Sequence, residues 1–284
     1  MILGVATMGW RNVENNLGSL PPAQRKIAEY MLKNKLESIF LTALQLGKNA
    51  GSSEASVIRM ASNLGFSSFP DFIKSLQEEA KDQLSTLGRL QTHKLQPQTG
   101  GLIARVINSD LEQAKESLST VDDETIKKLA AKICASDAIY IVGLRSTRTL
   151  AVYMEYYLSW FFTNVQLPTT DTMGNHLVAP PHNSIVIGIS YPRYTRQTVE
   201  CITLAKKRKF FTAAITDSPF SPLAKAADMC IVSPCAHIAH IDSLLIPIGL
   251  INTLLIQVAE QLGPKALKRL EELERNWTDS SVYC

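Results

Sequence analysis

Two segments carry residues suited to gripping a small anion. Ile187-Gly-Ile-Ser-Tyr-Pro-Arg-Tyr-Thr195 reads as a buried strand that opens into a polar loop, with a helix following. Ile139-Tyr-Ile-Val-Gly-Leu-Arg-Ser-Thr147 repeats that plan. In the first segment Ser190, Arg193, Tyr194 and Thr195 are the candidate ligand-binding residues; in the second they are Gly143, Arg145, Ser146 and Thr147. Hydroxyls ahead of a helix can cap its free amides or donate to a phosphate. Gly143 permits a sharp exit from the strand. Arg145, Arg148, Arg193 and Arg196 offer guanidinium groups, which hold carboxylate or phosphate bidentately. A single loop of this kind suits plain helix capping; a pair on one sheet points to a ligand.

Other chemistries find less support. Glu155, on the helix after the first loop, could serve as a base, but a helix-surface or interface carboxylate accounts for it better. His176, His182, His237 and His240 match no metal-site spacing, so no metal and no cofactor is expected. Neither a Gly-x-Ser-x-Gly elbow nor a Walker-type loop occurs. The run Lys206-Lys-Arg-Lys209 reads as a solvated helix end, where cations suit the dipole.

These loops need elements to hold them. Apolar runs at 138–142, 165–167, 185–189, 211–215 and 229–232 read as strands, and 146–162, 196–208, 221–227 and 244–262 read as helices. Such alternation implies a parallel sheet covered on both faces, with ligands beyond the carboxyl ends of its strands. Both polar loops fall at carboxyl ends. Ahead of the sheet, helices are expected from Ile103 to Leu118 and from Asp123 to Ala135, capped by Asp122 or Asp123.

Residues 20–85 read as all-helical. Proline in Leu20-Pro-Pro-Ala-Gln-Arg suits a first turn. Leu41, Leu44 and Leu46 mark one short helix, Gly51-Ser-Ser a tight turn, and Val57, Ile58, Ala61 and Leu64 the apolar side of the next, which stops at Gly65. Two helices joined by a short glycine-bearing turn form a helix-turn-helix, or else a plain helical bundle. On the second helix Ser53, Glu54, Ser56, Arg59 and Asn63 are the candidate DNA contacts, with Arg59 suited to guanine. Residues 20–60 hold six basic and three acidic side chains. The segment 91–101 reads as the centre of a linker.

Composition bounds the whole. A chain of 284 residues with 45% hydrophobic and 19% charged content is a folded protein of one or two domains, and its net charge of +3 neither demands nor excludes nucleic acid. Five cysteines without CxxC spacing argue for reduced thiols in the cytoplasm. No basic segment precedes the short apolar start, so no signal peptide is expected. The apolar stretch 244–259 is interrupted by Pro247, Asn252, Thr253 and Gln257 and is shorter than the roughly 20 residues a membrane span needs. It reads as a helix buried all round, in a core or a subunit interface.

Taken together, these segments resemble the RpiR family of bacterial transcriptional regulators, from about Leu20 to about Leu262. The resemblance rests on Leu20–Met31, Gly51–Phe66, Ser67-Ser-Phe-Pro-Asp-Phe72, Ile139–Ser146, Ile185–Thr195 and Ala214–Asp228. It implies an all-α helix-turn-helix head (1–85), a linker (86–102) and an α/β sugar isomerase (SIS) domain (103–284). It further implies a five-stranded parallel sheet of order 2-1-3-4-5, dimerisation through helices, and a phosphosugar held by Ser146, Thr147, Ser190 and Thr195. The chain departs from the family at two points. Arg145 stands where the first loop usually has a second glycine, and Pro192 and Arg193 replace a serine and a glycine in the third-strand loop. Either the ligand carries extra negative charge or the arginines fill the pocket.

The expectation is a cytoplasmic, non-enzymatic regulator that senses an anionic metabolite, sugar-phosphate-like or carboxylated. Its partners would be a palindromic double-stranded DNA operator and further copies of itself, as a homodimer or homotetramer, with no membrane. The alternatives are a sugar-phosphate isomerase and a regulator whose SIS domain only dimerises.

Overall fold

The structure, a computed structural model, describes residues 9–84, 86–87, 89–90, 101–169, 171–176 and 183–283. Two compact units emerge, Met1–Gln96 and Pro97–Cys284. Nearly all of the expected linker centre, 91–100, lies outside the described residues.

In the first unit the described elements are α1 (Trp10–Asn16), α2 (Pro22–Lys33), α3 (Lys35–Ser38), α4 (Ala43–Asn49), α5 (Glu54–Asn63) and α6 (Phe69–Leu84). Local signals set their ends. Thr42 and Gln45 form a reciprocal capping box at the start of α4. Ser53 caps α5 by accepting the Ser56 amide at 3.2 Å. Gly51, at φ +62°, supplies the turn between them. A side chain at Gly47 would put its Cβ 2.8 Å from the Ser53 carbonyl carbon, so glycine there lets α4 close onto the start of α5.

Ile27, Met31, Leu46, Val57, Met60, Phe72 and Leu76 form the fully buried centre of this unit. Two expected core positions differ. Leu44 and Ile58 are 61% and 47% exposed, while Met60 is fully buried. At about 100° per residue, 57, 60, 61 and 64 share the inward face of α5 and 58 turns away from it. Helix α1 was not apparent from the sequence; Asn12 ties it to the end of α5 by donating to the Leu64 carbonyl at 2.7 Å.

The second unit opens with α7 (Leu102–Thr120) and α8 (Asp123–Cys134), the latter capped by Asp122. There follow β1 (Ala138–Gly143), α9 (Arg148–Leu158), β2 (Val165–Gln166), α10 (Met173–His176), β3 (Ser184–Ile189), α11 (Arg196–Lys207), β4 (Phe211–Thr216), α12 (Pro222–Ala226) and β5 (Met229–Val232). The five strands form one parallel sheet of order β2-β1-β3-β4-β5. Every residue of β1 and β3 is buried, as both faces are covered. Ile139, Ile141, Ile185, Ile187 and Ile215 face α8, α9 and a long helix, α13 (Leu245–Leu262). Tyr140, Val142, Val186 and Ala214 point the other way, onto α11. The period-2 alternation of strand side chains makes this division, and each fully buried Ile or Val contributes about 1.5–3 kcal/mol.

Four features depart from the sequence reading or add to it. Helix α13 is not buried all round: Ile251, Leu254 and Val258 lie in the core, but Leu245 and Ile256 are exposed. It is long and apolar enough to cross a membrane by length and composition, and here one face of it covers the sheet. A two-stranded hairpin, β6 (His237–Ile238) and β7 (Ile241–Asp242), was not expected, nor was α14 (Pro264–Asp279). Finally, residues 206–209 form an exposed helix end, as expected, and within it Lys206 also pairs with Asp228 at 3.0 Å and donates to the Ala227 carbonyl.

Candidate functional sites

On α5 the five candidate DNA contacts divide. Glu54 and Arg59 are exposed. Ser56 is buried; its hydroxyl lies 3.0 Å from that of Ser53 and accepts a long bond from the Arg59 guanidinium at 3.5 Å. The Asn63 amide donates to Gln24 Oε1 at 2.8 Å, joining the end of α5 to α2. The outward face of the helix is therefore Glu54, Ala55, Ile58, Arg59, Ser62 and Asn63, and Ser53 at its cap is exposed as well. Of these, Ala55, Ile58 and Ser62 were missed by the sequence reading, although the same 3.6-residue period that marks the core also marks its opposite face.

In the second unit both candidate loops leave the carboxyl ends of adjacent strands, β1 and β3, which pair along their whole length. Gly143 ends β1 where a Cβ would lie 2.5 Å from the Thr147 carbonyl oxygen. That close approach folds Arg145–Thr147 into a single 3-10 turn that runs into α9. Thr147 is buried, its hydroxyl 2.8 Å from the Leu144 carbonyl and 3.0 Å from that of Ile189, so its one proton joins the first loop to the end of β3. Ser190 is also buried, and its Oγ accepts the Thr195 amide at 3.1 Å. Thr195 precedes α11 with no side-chain cap. Thr147 and Ser190 thus hold the loops in shape, whereas Arg145, Ser146 and Arg193 are exposed at their rims.

Both arginines that stand in place of glycines adopt left-handed backbone, Arg145 at φ +57° and Arg193 at φ +70°. A residue with a Cβ pays about 1–2 kcal/mol for that conformation. The loops therefore keep a glycine-type path while carrying two cations. Arg196 is turned outward and pairs with Glu200 at 2.7 Å. Glu155 lies half-buried on α9, about 10 Å along the axis from the start of that helix at 1.5 Å per residue.

Acidic groups also reach this edge. Tyr194 donates to the carboxylate of Asp217 at 2.9 Å, and Thr216 donates to the same carboxylate at 3.1 Å. Burial, then the neighbouring Asp217 charge, push the Tyr194 hydroxyl pKa far up. Tyr191 is buried beside Ser233 and is likewise raised, by burial above all. Burial pushes the Cys230 thiol up to about 11, so it stays protonated and inert as a nucleophile. From the hairpin, Asp242 accepts from the Ser146 hydroxyl at 3.5 Å. Asp217 was legible as a polar residue just past a strand, but Asp242 sits on a strand of two residues with no periodic signal. Among the described residues no three His, Cys, Asp or Glu side chains gather to hold a metal ion; His182 and the side chain of His237 lie outside that description.

A helix-turn-helix head joined to a parallel α/β unit with paired polar loops defines a class of two-part regulators. Residues 8–83 match the helix-turn-helix domain of the rpiR family, and residues 132–257 match the SIS domain. The chain belongs to the rpiR family of helix-turn-helix transcriptional regulators that carry an SIS domain. It is 27% identical over 222 residues to an uncharacterized HTH-type transcriptional regulator of Caldanaerobacter subterraneus subsp. tengcongensis, covering 74% of each chain. It is 22% identical over 225 residues to the HTH-type transcriptional regulator HexR of Pseudomonas aeruginosa, covering 78% of this chain and 77% of HexR.

Among solved structures, Vibrio vulnificus NanR, complexed with ManNAc-6P, superposes with a TM-score of 0.62 at 16% identity over 95% of this chain and 98% of NanR. The sugar isomerase domain of an RpiR transcription factor from Sphaerobacter thermophilus gives a TM-score of 0.58 at 30% identity, over 61% of this chain and 98% of that domain.

Proposed function

We propose that this regulator binds DNA through the outward face of α5 and senses a phosphorylated or carboxylated sugar-like anion at the paired loops of its SIS domain, without catalysing a reaction. The observation that carries the sensor reading is the pair of arginines held at positive φ in loops 143–147 and 190–195. Strain kept at two neighbouring loops is consistent with a functional gain, here two cations around one anion. Both arginines lie at the exposed rim of the loops and not in a buried interior, which favours binding over a filled pocket. An isomerase would need a base against its substrate; Glu155 is about 10 Å down its helix from the loops, and the carboxylates that do reach this edge, Asp217 and Asp242, accept from Tyr194 and Thr216 and from Ser146. That NanR holds an amino-sugar phosphate on the same fold is in keeping with this ligand class.

Residues 1–85 act as the DNA-binding head, 86–102 as the linker and 103–284 as the effector and dimerisation unit. The protein acts in the cytoplasm as a homo-oligomer on a palindromic operator. The exposed stripe Ile103, Ile107 and Leu111 on α7 is an apolar face suited to a second copy. Ligand shifts the balance of DNA-binding states through its differential affinity for them. The test is to select a DNA site from a random duplex pool with the full chain, then titrate sugar phosphates and sugar acids while following DNA affinity and thermal stability. A shift in both by one anion is expected. If no anion moves either quantity, the sensor reading fails; if binding to DNA shows no salt dependence, the DNA reading fails.

A further inference from the structure

Ile58 is a large apolar residue on the face of α5 that carries Arg59, and it is 47% exposed. The inward side of that helix is filled by Val57, Met60, Ala61 and Leu64, and Ile58 points away from it. At about 100° per residue, the outermost line of α5 runs through Ala55 and Ser62, with Ile58 about 50° to one side and Arg59 about 50° to the other. Both residues on that line have short side chains, so the helix can approach another surface closely. Its ends are held: Ser53 caps the start, and Asn63 donates to Gln24 at the other end. A β-branched side chain in a helix keeps essentially one χ1 rotamer. Ile58 therefore offers a fixed apolar surface at little entropic cost.

An apolar side chain standing alone on a surface is ordinary. Ile58 differs in its company. It shares one helix face with a guanidinium suited to guanine and with the carboxylate of Glu54, which a phosphate repels. A helix is about 10–12 Å across with its side chains, and the major groove of B-DNA is about 12 Å wide. A face of this makeup suits base edges better than the phosphate backbone. The apolar group that base edges present in the major groove is the 5-methyl of thymine.

Resting on the DNA reading above, we infer that Ile58 is a specificity-determining residue: its side chain, with Ala55 one turn before it, packs on the 5-methyl group of a thymine in the major groove of the operator. Arg59 supplies charge and a polar contact; Ile58 supplies discrimination at a base pair that a polar side chain would not read in this way.

The test uses the full chain and a duplex that it selects from a random pool. Each thymine is replaced singly by deoxyuridine, which removes the methyl and leaves the pairing hydrogen bonds in place. At one position in each half-site, the wild-type protein should bind the uracil duplex about fourfold more weakly, the worth of one buried methyl. Ile58→Ala should weaken binding to the thymine duplex by about the same factor and erase the uracil penalty at that position. It should leave the salt dependence unchanged, because no phosphate contact is lost. Arg59→Ala should weaken binding to both duplexes and keep the penalty. Melting curves of the free variants check that the head is folded. The assignment is overturned, and DNA binding stands, if no uracil weakens the wild-type protein or if Ile58→Ala keeps the full penalty. If Ile58→Ala binds no duplex, Ile58→Val decides: a full penalty in that variant overturns the assignment, and a reduced one supports it. A kept penalty together with a changed oligomeric state makes the face a contact between copies and also overturns it. If the wild-type chain selects no duplex and binds DNA without salt dependence, the DNA reading and this inference fall together.

Discussion

Replacing Arg193 with glycine alters two quantities in opposite directions, and so does replacing Arg145. Both residues sit at positive φ, +70° and +57°. Releasing a side chain from left-handed backbone returns about 1–2 kcal/mol. Glycine gives back about 0.5–1 kcal/mol of that through the greater freedom of the unfolded chain. The net expectation is a ligand-free protein more stable by about 0.5–1 kcal/mol per variant, a rise of roughly 2 °C in melting temperature for a unit of this size. Anion binding loses one charge-assisted hydrogen bond in each variant, about 1.5–3 kcal/mol, or roughly 10- to 100-fold in Kd. Arg193→Lys keeps the charge and the strain but not the planar fork, so it should leave stability unchanged and weaken binding less than glycine does. Calorimetry and thermal melts of the same samples read both quantities. The reasoning is refuted if Arg193→Gly lowers the melting temperature of the free protein, or if it raises stability while anion affinity stays put.

Other expectations follow from the same contacts. Gly143→Ala places a Cβ 2.5 Å from the Thr147 carbonyl oxygen, a backbone atom, and should destabilise the second unit by about 1–3 kcal/mol in urea melts. On α5, Arg59→Ala should weaken DNA binding and flatten its salt dependence, whereas Ser56→Ala, at a buried and internally bonded hydroxyl, should cost about 1 kcal/mol of stability and leave the salt slope alone. Tyr194→Phe leaves Asp217 with one fewer donor and should cost about 1–3 kcal/mol near neutral pH. Because the folded-state pKa of Tyr194 lies above the unfolded value of 10.0, its part of the stability is held below pH 10 and lost as pH rises beyond it. The Phe variant should show less of that alkaline loss in melts taken across pH 9–11.

Much of the fold could be read from residue types alone. The five apolar runs became the five strands because a strand buried on both faces leaves an uninterrupted apolar signature. The turn at Gly51 was legible because a left-handed residue is a local requirement, whereas Ser53, read only as a DNA contact, also caps α5. The phase of α5 was read one residue too widely: Ile58 is apolar but turned outward, and only the packing of Met60 against the other helices distinguishes the two. The hairpin 237–242 and the helix 264–279 went unread: two-residue strands carry no periodicity, while the helix does carry an amphipathic spacing that marks it.

By itself, then, the sequence determined the two-part architecture, the strand order implied by its family and the types of residue gathered at the loops, because periodicity, capping and turn chemistry are properties of short segments. Tertiary structure alone decided which of those residues turn inward and which stand at the loop rims. It turned the Thr147 and Ser190 hydroxyls inward to close the loops, left Arg145 and Arg193 on glycine-type backbone at the rim, and carried Asp242 from a distant hairpin to Ser146. Those outcomes depend on hydrogen-bond partners far apart in the chain, and no local pattern encodes a partner that only folding brings near.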